Sequence, residues 1–511
     1  MSSRQSIRFV VAALLVVGCG GGGGGIPSVG GRGGGTAAGH GGTGGSGGAG
    51  VGRGGSGGGA GTSAGGAAGT SAGAGGSSPG GSGGSAVSGS GGSSAGTGGT
   101  GGGAGTGGSS SGGGLVDLID NAAGTTIAID SSGTIHVAAA AIVQGNYVVV
   151  YARCASQCSQ AASWTFLALP LESSTSYVPT IALTANGRPR IAYASDLGSA
   201  PGFHYLQCDT GCDQVANWSD VRLTMGDPGA NPVPRPSMPF AVSPGGAAAF
   251  VYEDGFGMYA WFCPASCAQG ASWTRVTLAD VYVYPEAAAF ASDQSLQIVA
   301  RHGIQNDESL LWLDCSGDCS AIASWAQVDG LWQVHGQLRE AIARTSTGGT
   351  RIVFYGDDPS TAAVENVFGY LVCESNCRAP ASWKPPLLLG IPPGAGDVGF
   401  GLALDSGAHP TIAILGGTAS SLARCSGDCT GAAGTWQLTA SVGTSTLNGG
   451  FTPTVPAGCT SASWGMYVGP SLALAANGNP AMAITAQAKA FGGTCGTGSA
   501  ATVTSSFLLL P

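Results

Sequence analysis

Twelve side chains of kinds that can bind or react stand in or beside the breaks between apolar runs: Tyr177, Asp196, Glu253, Asp254, Tyr284, Arg301, His302, Trp332, His335, Asp357, Asp358 and Tyr467. Carboxylates beside aromatic rings suit a sugar or a hard cation. The competing reading of all twelve is solvated loop. A glycosidase requires two carboxyl groups at a set separation across the scissile bond, and Glu253 or Asp254 with Asp357 is the pair this chain offers. Nothing in the sequence sets that separation, so no catalytic residue is assigned. Other chemistries are excluded more firmly. Lys384 and Lys489 are the only lysines, which leaves almost no candidate for a Schiff base or a phosphate-loop lysine. No G-x-S-x-G string occurs in residues 115–511 to anchor a serine nucleophile. The six histidines show no metal-ligand spacing, and no metal or cofactor is expected.

The elements that would carry these residues belong to one part of a divided chain. Of 96 glycines, 51 lie in residues 20–114, a stretch almost wholly of Gly, Ser, Ala and Thr with no Phe, Tyr or Trp and no acid. It cannot bury enough apolar surface to offset its ordering entropy, so residues 19–114 are expected to be a disordered tether about 50–60 Å from end to end. All 27 acidic residues follow it, against 14 of the 18 basic ones. A net charge of −13 there argues against a nucleic-acid partner, because that affinity comes from clustered cations.

Residues 115–511 repeat. Cys154, Cys208, Cys263, Cys315, Cys373 and Cys425 recur every 52–58 residues, each with a second cysteine four positions on: Cys158, Cys212, Cys267, Cys319, Cys377 and Cys429. A tryptophan follows six residues later in five cases and seven later in the sixth, Trp436. Each repeat holds four short apolar runs separated by Gly, Asn and Asp turns, with no useful helical period. Four strands per unit of about 50 residues is the arithmetic of a β-propeller. Turns near 133, 187, 245, 294, 348 and 407 mark six blades, and 471–486 opens a seventh that lacks its outer strand. Residues 115–119 have no sheet of their own and fit that vacancy. The fold expected is therefore all-β, a seven-bladed β-propeller of four-stranded blades closed by an N-terminal strand. Each C-x3-C pair sits at the turn between third and fourth strands, where a disulfide is geometrically plausible. Zinc fits poorly, since pairs on separate blades would have to converge in fours. The tryptophans are expected to pack between blades.

Two resemblances add to this reading. Arg4 and Arg8 precede an apolar run, 9–17, too short to span a bilayer, which ends in Leu15, Val16, Val17, Gly18 and Cys19. This resembles the lipobox of bacterial lipoproteins, although Val16 stands where leucine is commonest. It implies a signal peptide over 1–18, acylation of Cys19, and an envelope lipoprotein of the outer membrane, periplasmic or surface exposed, whose partner is the membrane. Setting Cys19 aside leaves Cys459 and Cys495 for each other, in an oxidising compartment. The repeats IALTANGRPRIAY (181–193) and LALDSGAHPTIA (402–413) resemble exported bacterial propellers and, more coarsely, sialidases and other Asp-box proteins. The Asp-box string itself is absent, so the resemblance implies a fold rather than a chemistry. The function expected is a lipid-anchored binding module for carbohydrate or protein. A glycoside hydrolase or lyase on the same disc, and a surface-structural protein, are the alternatives.

Overall fold

Short apolar runs, buried on both faces in the second strands and interrupted by turns that need a left-handed backbone, leave this chain little choice but short antiparallel strands. The computed structural model describes residues 114–510, apart from 144–145, 170–177, 196–201, 225–237, 280–281, 305–306, 335–339, 358–365, 390–398, 417–418, 432–433, 452, 454, 456–457 and 496–499. The signal segment, Cys19 and the tether lie outside the described residues.

Each repeat is an antiparallel four-strand meander, inner strand first. In the second repeat the strands are Thr180–Leu183, Pro189–Ser195, Gly202–Cys208 and Trp218–Thr224, with Ile181 opposite Ile191, Ala192 opposite Tyr205, and Tyr205 opposite Val221. The turn from inner to second strand is built the same way throughout. The amide of Gly133, Gly187, Gly246, Gln294, Gly348, Ala408 or Gly478 donates to the carbonyl three residues back, and that residue has a positive φ. Glycine fills five of these seven places because an L side chain pays for such a backbone.

The core lies between sheets rather than within them. Ala138, Val149, Tyr151 and Leu169 of the first sheet pack on Ile181, Ile191, Tyr193 and Leu206 of the second. Inner strands follow one another around the molecule, with the Thr126 hydroxyl donating to the carbonyl of Pro179 and that of Thr180 to the carbonyl of Met238. The last inner strand, within Ser461–Leu474, meets the first, Ala122–Ile129, where the Ile127 amide donates to the Ser471 hydroxyl. The closing strand is where the sequence puts it: Leu115–Asp120 pairs antiparallel with Ala500–Leu509, Leu115 opposite Leu509 and Asp120 opposite Ser505.

The sheets are five of four strands and one of nine, not seven separate blades. The fourth and fifth repeats run together because a short strand, Gln333–Val334, pairs on one side with Glu308 and Ser309 and on the other with Gly356. Only glycine permits this approach, since a Cβ on residue 356 would stand 2.3 Å from the carbonyl oxygen of Gln333. A second departure, from the expected all-β fold, is a seven-residue helix, Thr444–Gly450.

All six C-x3-C pairs are disulfides, with Cα atoms 5.6–5.9 Å apart, and Cys459 is bonded to Cys495. The six-residue spacing to tryptophan now has a cause. Trp164, Trp218, Trp273, Trp325 and Trp383 each donate their indole N–H to the carbonyl of the second cysteine of their own repeat, at 2.8–3.1 Å. Three of these rings meet a ring of the preceding repeat edge-on: Tyr151 with Trp218 and Tyr205 with Trp273 at 4.9 Å, Trp312 with Trp383 at 5.5 Å. Trp436, one residue further along, does the same with Tyr370 at 5.3 Å.

Candidate functional site

Antiparallel meanders put the disulfide turns on one face and the connectors, with the turns between second and third strands, on the other. Most of the described sequence candidates sit at that second face, but the structure brings only some of them together. Tyr177, Asp196, His335 and Asp358 lie outside the described residues, as do the side chains of Asp357 and Tyr467. By backbone position, Asp357 ends the strand Thr350–Asp357, next to Gly356. Tyr467 is a correction: it lies inside the 14-residue strand Ser461–Leu474, not in a connector, because two register shifts let one long strand replace a connector and a short strand. Tyr284 likewise belongs to the inner strand Val283–Phe290.

The third repeat holds a structural pair rather than an open one. Glu253 ends its strand and accepts from the Gly255 amide. Asp254 accepts from the Phe256 amide and pairs with Arg275 at 3.2 Å, its side chain fully enclosed. Arg275 in turn lies over the Tyr259 ring at 3.9 Å. A carboxylate so committed is a strut of the turn. The turn leaves Phe256 outside, 66% exposed.

The junction of the fourth and fifth repeats is where chemistry gathers. Arg301 is buried, its Nε 2.9 Å from Glu286 and its Nη1 2.8 Å from Glu308. A register shift between Pro285 and Ala287 turns Glu286 towards it, as bulges do. Burial works to lower the guanidinium pKa, but the charges of Glu286, Glu340 and Glu308 hold it above its ordinary value. Arg301 also lies 5.4 Å from the Tyr284 ring centre, on its opposed strand. The next residue, His302, emerges on the opposite side of the sheet, its Nδ1 bonded to Asp329, which also accepts from the Ser309 hydroxyl at 3.0 Å. With its side chain 44% exposed and its Nε2 without a hydrogen-bond partner among the described residues, His302 presents an oriented imidazole to solvent. Trp332 is held through its carbonyl, which accepts from the Leu310 amide, and its ring packs on the Arg301 face of the sheet against Val299, Leu310 and Phe354, 6.0 Å from the Phe354 ring. Tyr282 adds an exposed ring at the same edge, its carbonyl accepting from Gly303 and its φ positive.

Sequence reasoning found Arg301, His302, Tyr284 and Trp332 but missed Glu286, Glu308, Asp329, Ser309 and Tyr282. The first two alternate within apolar strands, where a carboxylate reads as solvent-facing. The sequence signal for them was Arg301 itself, since a cation inside a strand needs counter-charges.

One further cluster has the connectivity of a serine hydrolase relay: Ser195 to His204 Nε2 at 3.2 Å and His204 Nδ1 to Asp220 at 3.0 Å. Its burial is inverted. Ser195 is fully enclosed and Asp220 is 44% exposed, so the hydroxyl that would attack is sealed while the carboxylate that should be shielded is wet. It serves to satisfy a buried imidazole stacked on Tyr193. No group of three or more metal-binding side chains occurs among the described residues.

No protein-family model matches the chain, and no curated protein does. Solved structures similar to it include the polysaccharide lyase Uly1, 10% identical over 76% of this chain and 90% of that one, with a TM-score of 0.44. A PL25 ulvan lyase bound to a GlcA(1-4)Rha3S glycan is 10% identical over 76% and 98%, with a TM-score of 0.45. The Dos1 propeller is 9% identical over 75% and 76%, with a TM-score of 0.38.

Proposed function

We propose that the chain is an exported, lipid-anchored propeller that acts as a binding module for carbohydrate or protein through the edge shared by its fourth and fifth repeats. The proposal counts the nine-stranded sheet as two blades joined by Gln333–Val334, which makes seven. In it, Cys19 carries the lipid, and residues 19–114 hold the disc away from an outer-membrane surface. The observation behind the site is that His302, Asp329 and Ser309 are bonded to one another at one edge, with the Tyr282 ring exposed at the strand end opposite them. An aromatic surface next to fixed hydrogen-bonding groups is what a sugar ring requires. Of the two ligand classes the reading favours carbohydrate. Glycan-array binding by the full chain, lost on His302→Ala and weakened about tenfold or more on Tyr282→Ala, is the expected result.

A second reading, a glycoside hydrolase or lyase, draws on the His302–Asp329 bond, because a carboxylate-oriented imidazole with an outward nitrogen is equipped to move a proton. Release of reducing ends or of unsaturated products from mixed glycans, abolished by His302→Ala, would favour it over binding alone. Absence of both binding and turnover would leave the surface-structural reading. The anchor is tested separately: Cys19→Ala should move the protein from the membrane fraction to the soluble one.

A further inference from the structure

On the disulfide side, a cleft of about 320 Å³ opens between the first and second sheets, lined by Tyr151, Arg153, Ser156, Ser163, Thr165 and Asp213, among others. Comparison of the repeats shows what is peculiar to it. In the second repeat Arg190, at the start of the second strand, donates to the Cys208 carbonyl and to Asp209, the residue after that cysteine. In the fifth, Arg351 does the same with the Cys373 carbonyl and Glu374. Each cation is neutralised within its own repeat.

The first repeat exchanges the two strands' roles. His136 occupies the place of Arg190, and the arginine stands opposite it at 153. The residue after the cysteine is Ala155, so the neutralising carboxylate is missing. Asp130 is committed instead to His136 and to the Ser132 hydroxyl, and its carboxyl is held below the ordinary range: burial works to raise it, and these bonds, with the Thr134 amide, outweigh burial. Burial keeps His136 below its ordinary value against the pull of Asp130. An ionised Asp130 only accepts, which puts the imidazole proton on Nε2 and leaves Nδ1 to accept from the Tyr151 hydroxyl at 2.8 Å. Tyr151 is therefore fixed in the wall of the cleft with its oxygen still able to accept. Arg153 is exposed, and no carboxylate among the described residues lies within ion-pairing distance of it. Asp213, from the next repeat, lines the same cleft without pairing with it.

We infer that this cleft binds a small carboxylate carrying hydrogen-bond donors at its far end, of the size of one sugar ring or one amino acid. Arg153 takes the carboxylate in the forked geometry that guanidinium favours. Asp213 accepts the ligand's hydroxyls or ammonium, and Ser156, Ser163 and Thr165 complete the polar wall. The volume suits a single residue rather than a chain, and the site is separate from the edge described above.

The probes are D-glucuronate for a sugar acid, L-serine for an amino acid and D-glucose as the uncharged control, each titrated calorimetrically into the full chain. Saturable binding of glucuronate or serine is expected, with glucose at least about tenfold weaker, and which of the two binds identifies the source of the carboxylate. Arg153→Gln should weaken the bound acid about tenfold or more, and Asp213→Asn should weaken it several-fold. His302→Ala, on the other face, should leave it unchanged. Failure of both acids to saturate by about 10 mM, equal binding of glucose, or full affinity in a normally folded Arg153→Gln protein would each overturn the inference.

Discussion

Arg301 shows how much a single side chain settles about recognition. Its charge is neutralised by Glu286 and Glu308, so the groups on the other side of the strand, His302, Ser309 and the exposed Tyr282, must recognise a ligand by hydrogen bonding and ring contact. Replacing Arg301 by Met would leave three carboxylates crowded in a dry place, and a loss of about 3–5 kcal/mol in chemical denaturation is expected. A smaller effect of opposite sign belongs to Ala408, which holds φ +62° in a turn where five of seven repeats use glycine. Ala408→Gly should stabilise the protein by up to about 1 kcal/mol, read as an increased denaturant midpoint at constant slope. At this scale the sequence was legible for residues that break a pattern, such as Arg301 within an apolar strand. It was opaque for those that keep one, such as Glu308.

Among elements, the disulfide turn with its tryptophan is the repeating joint of the molecule. The indole is held by the second cysteine's carbonyl and projects onto the preceding sheet, so one side chain ties a turn to its own strand and a blade to its neighbour. Trp273→Ala removes the contacts with Tyr205 and Phe250 and should cost about 3–5 kcal/mol. Replacing Cys208 and Cys212 together by serine should cost only about 2 kcal/mol, because so short a loop removes little unfolded-state entropy. If the double mutant proved the more damaging of the two, that ranking would be wrong. These joints were readable because cysteine and tryptophan recur at fixed intervals. The strand Gln333–Val334 was not, since two residues carry no periodicity and the approach of Gly356 is a fact of three dimensions. Gly356→Ala should push that strand away, speed hydrogen exchange at Val334 and weaken binding at the His302 edge.

For the whole molecule, the decisive contact is the one joining the first strand to the last repeat. Within it, Asp117 receives the Ser505 hydroxyl at 2.6 Å, and burial pushes its carboxyl up to about 6, with the Ser505 bond opposing and Asp120 adding to the rise. A carboxyl with a folded pKa above its unfolded value contributes stability that is complete below about pH 4 and is lost as pH rises through about 6. The closure should therefore be weaker at pH 7 than at pH 5 on this account. Asp117→Asn keeps an acceptor for Ser505 and should raise the pH 7 melting temperature by a few degrees while leaving that at pH 4 nearly unchanged. An equal shift at both pH values would point to packing instead. The strand 115–119 was legible from a count of runs, one spare at the beginning against one missing at the end.

The same arrangement dictates the order of events when the chain is made. The hydroxyl of Ser505 and the carboxylate of Asp117 are 388 residues apart in sequence, so the first strand emerges hundreds of residues before its partner exists. Until translation finishes it is an unpaired apolar ribbon, and contacts so distant along a polymer are the slowest to form. Maturation of this protein is thus a race between the arrival of the last repeat and capture of the waiting strand by something else, a race that a chaperone in the compartment of folding would be positioned to referee.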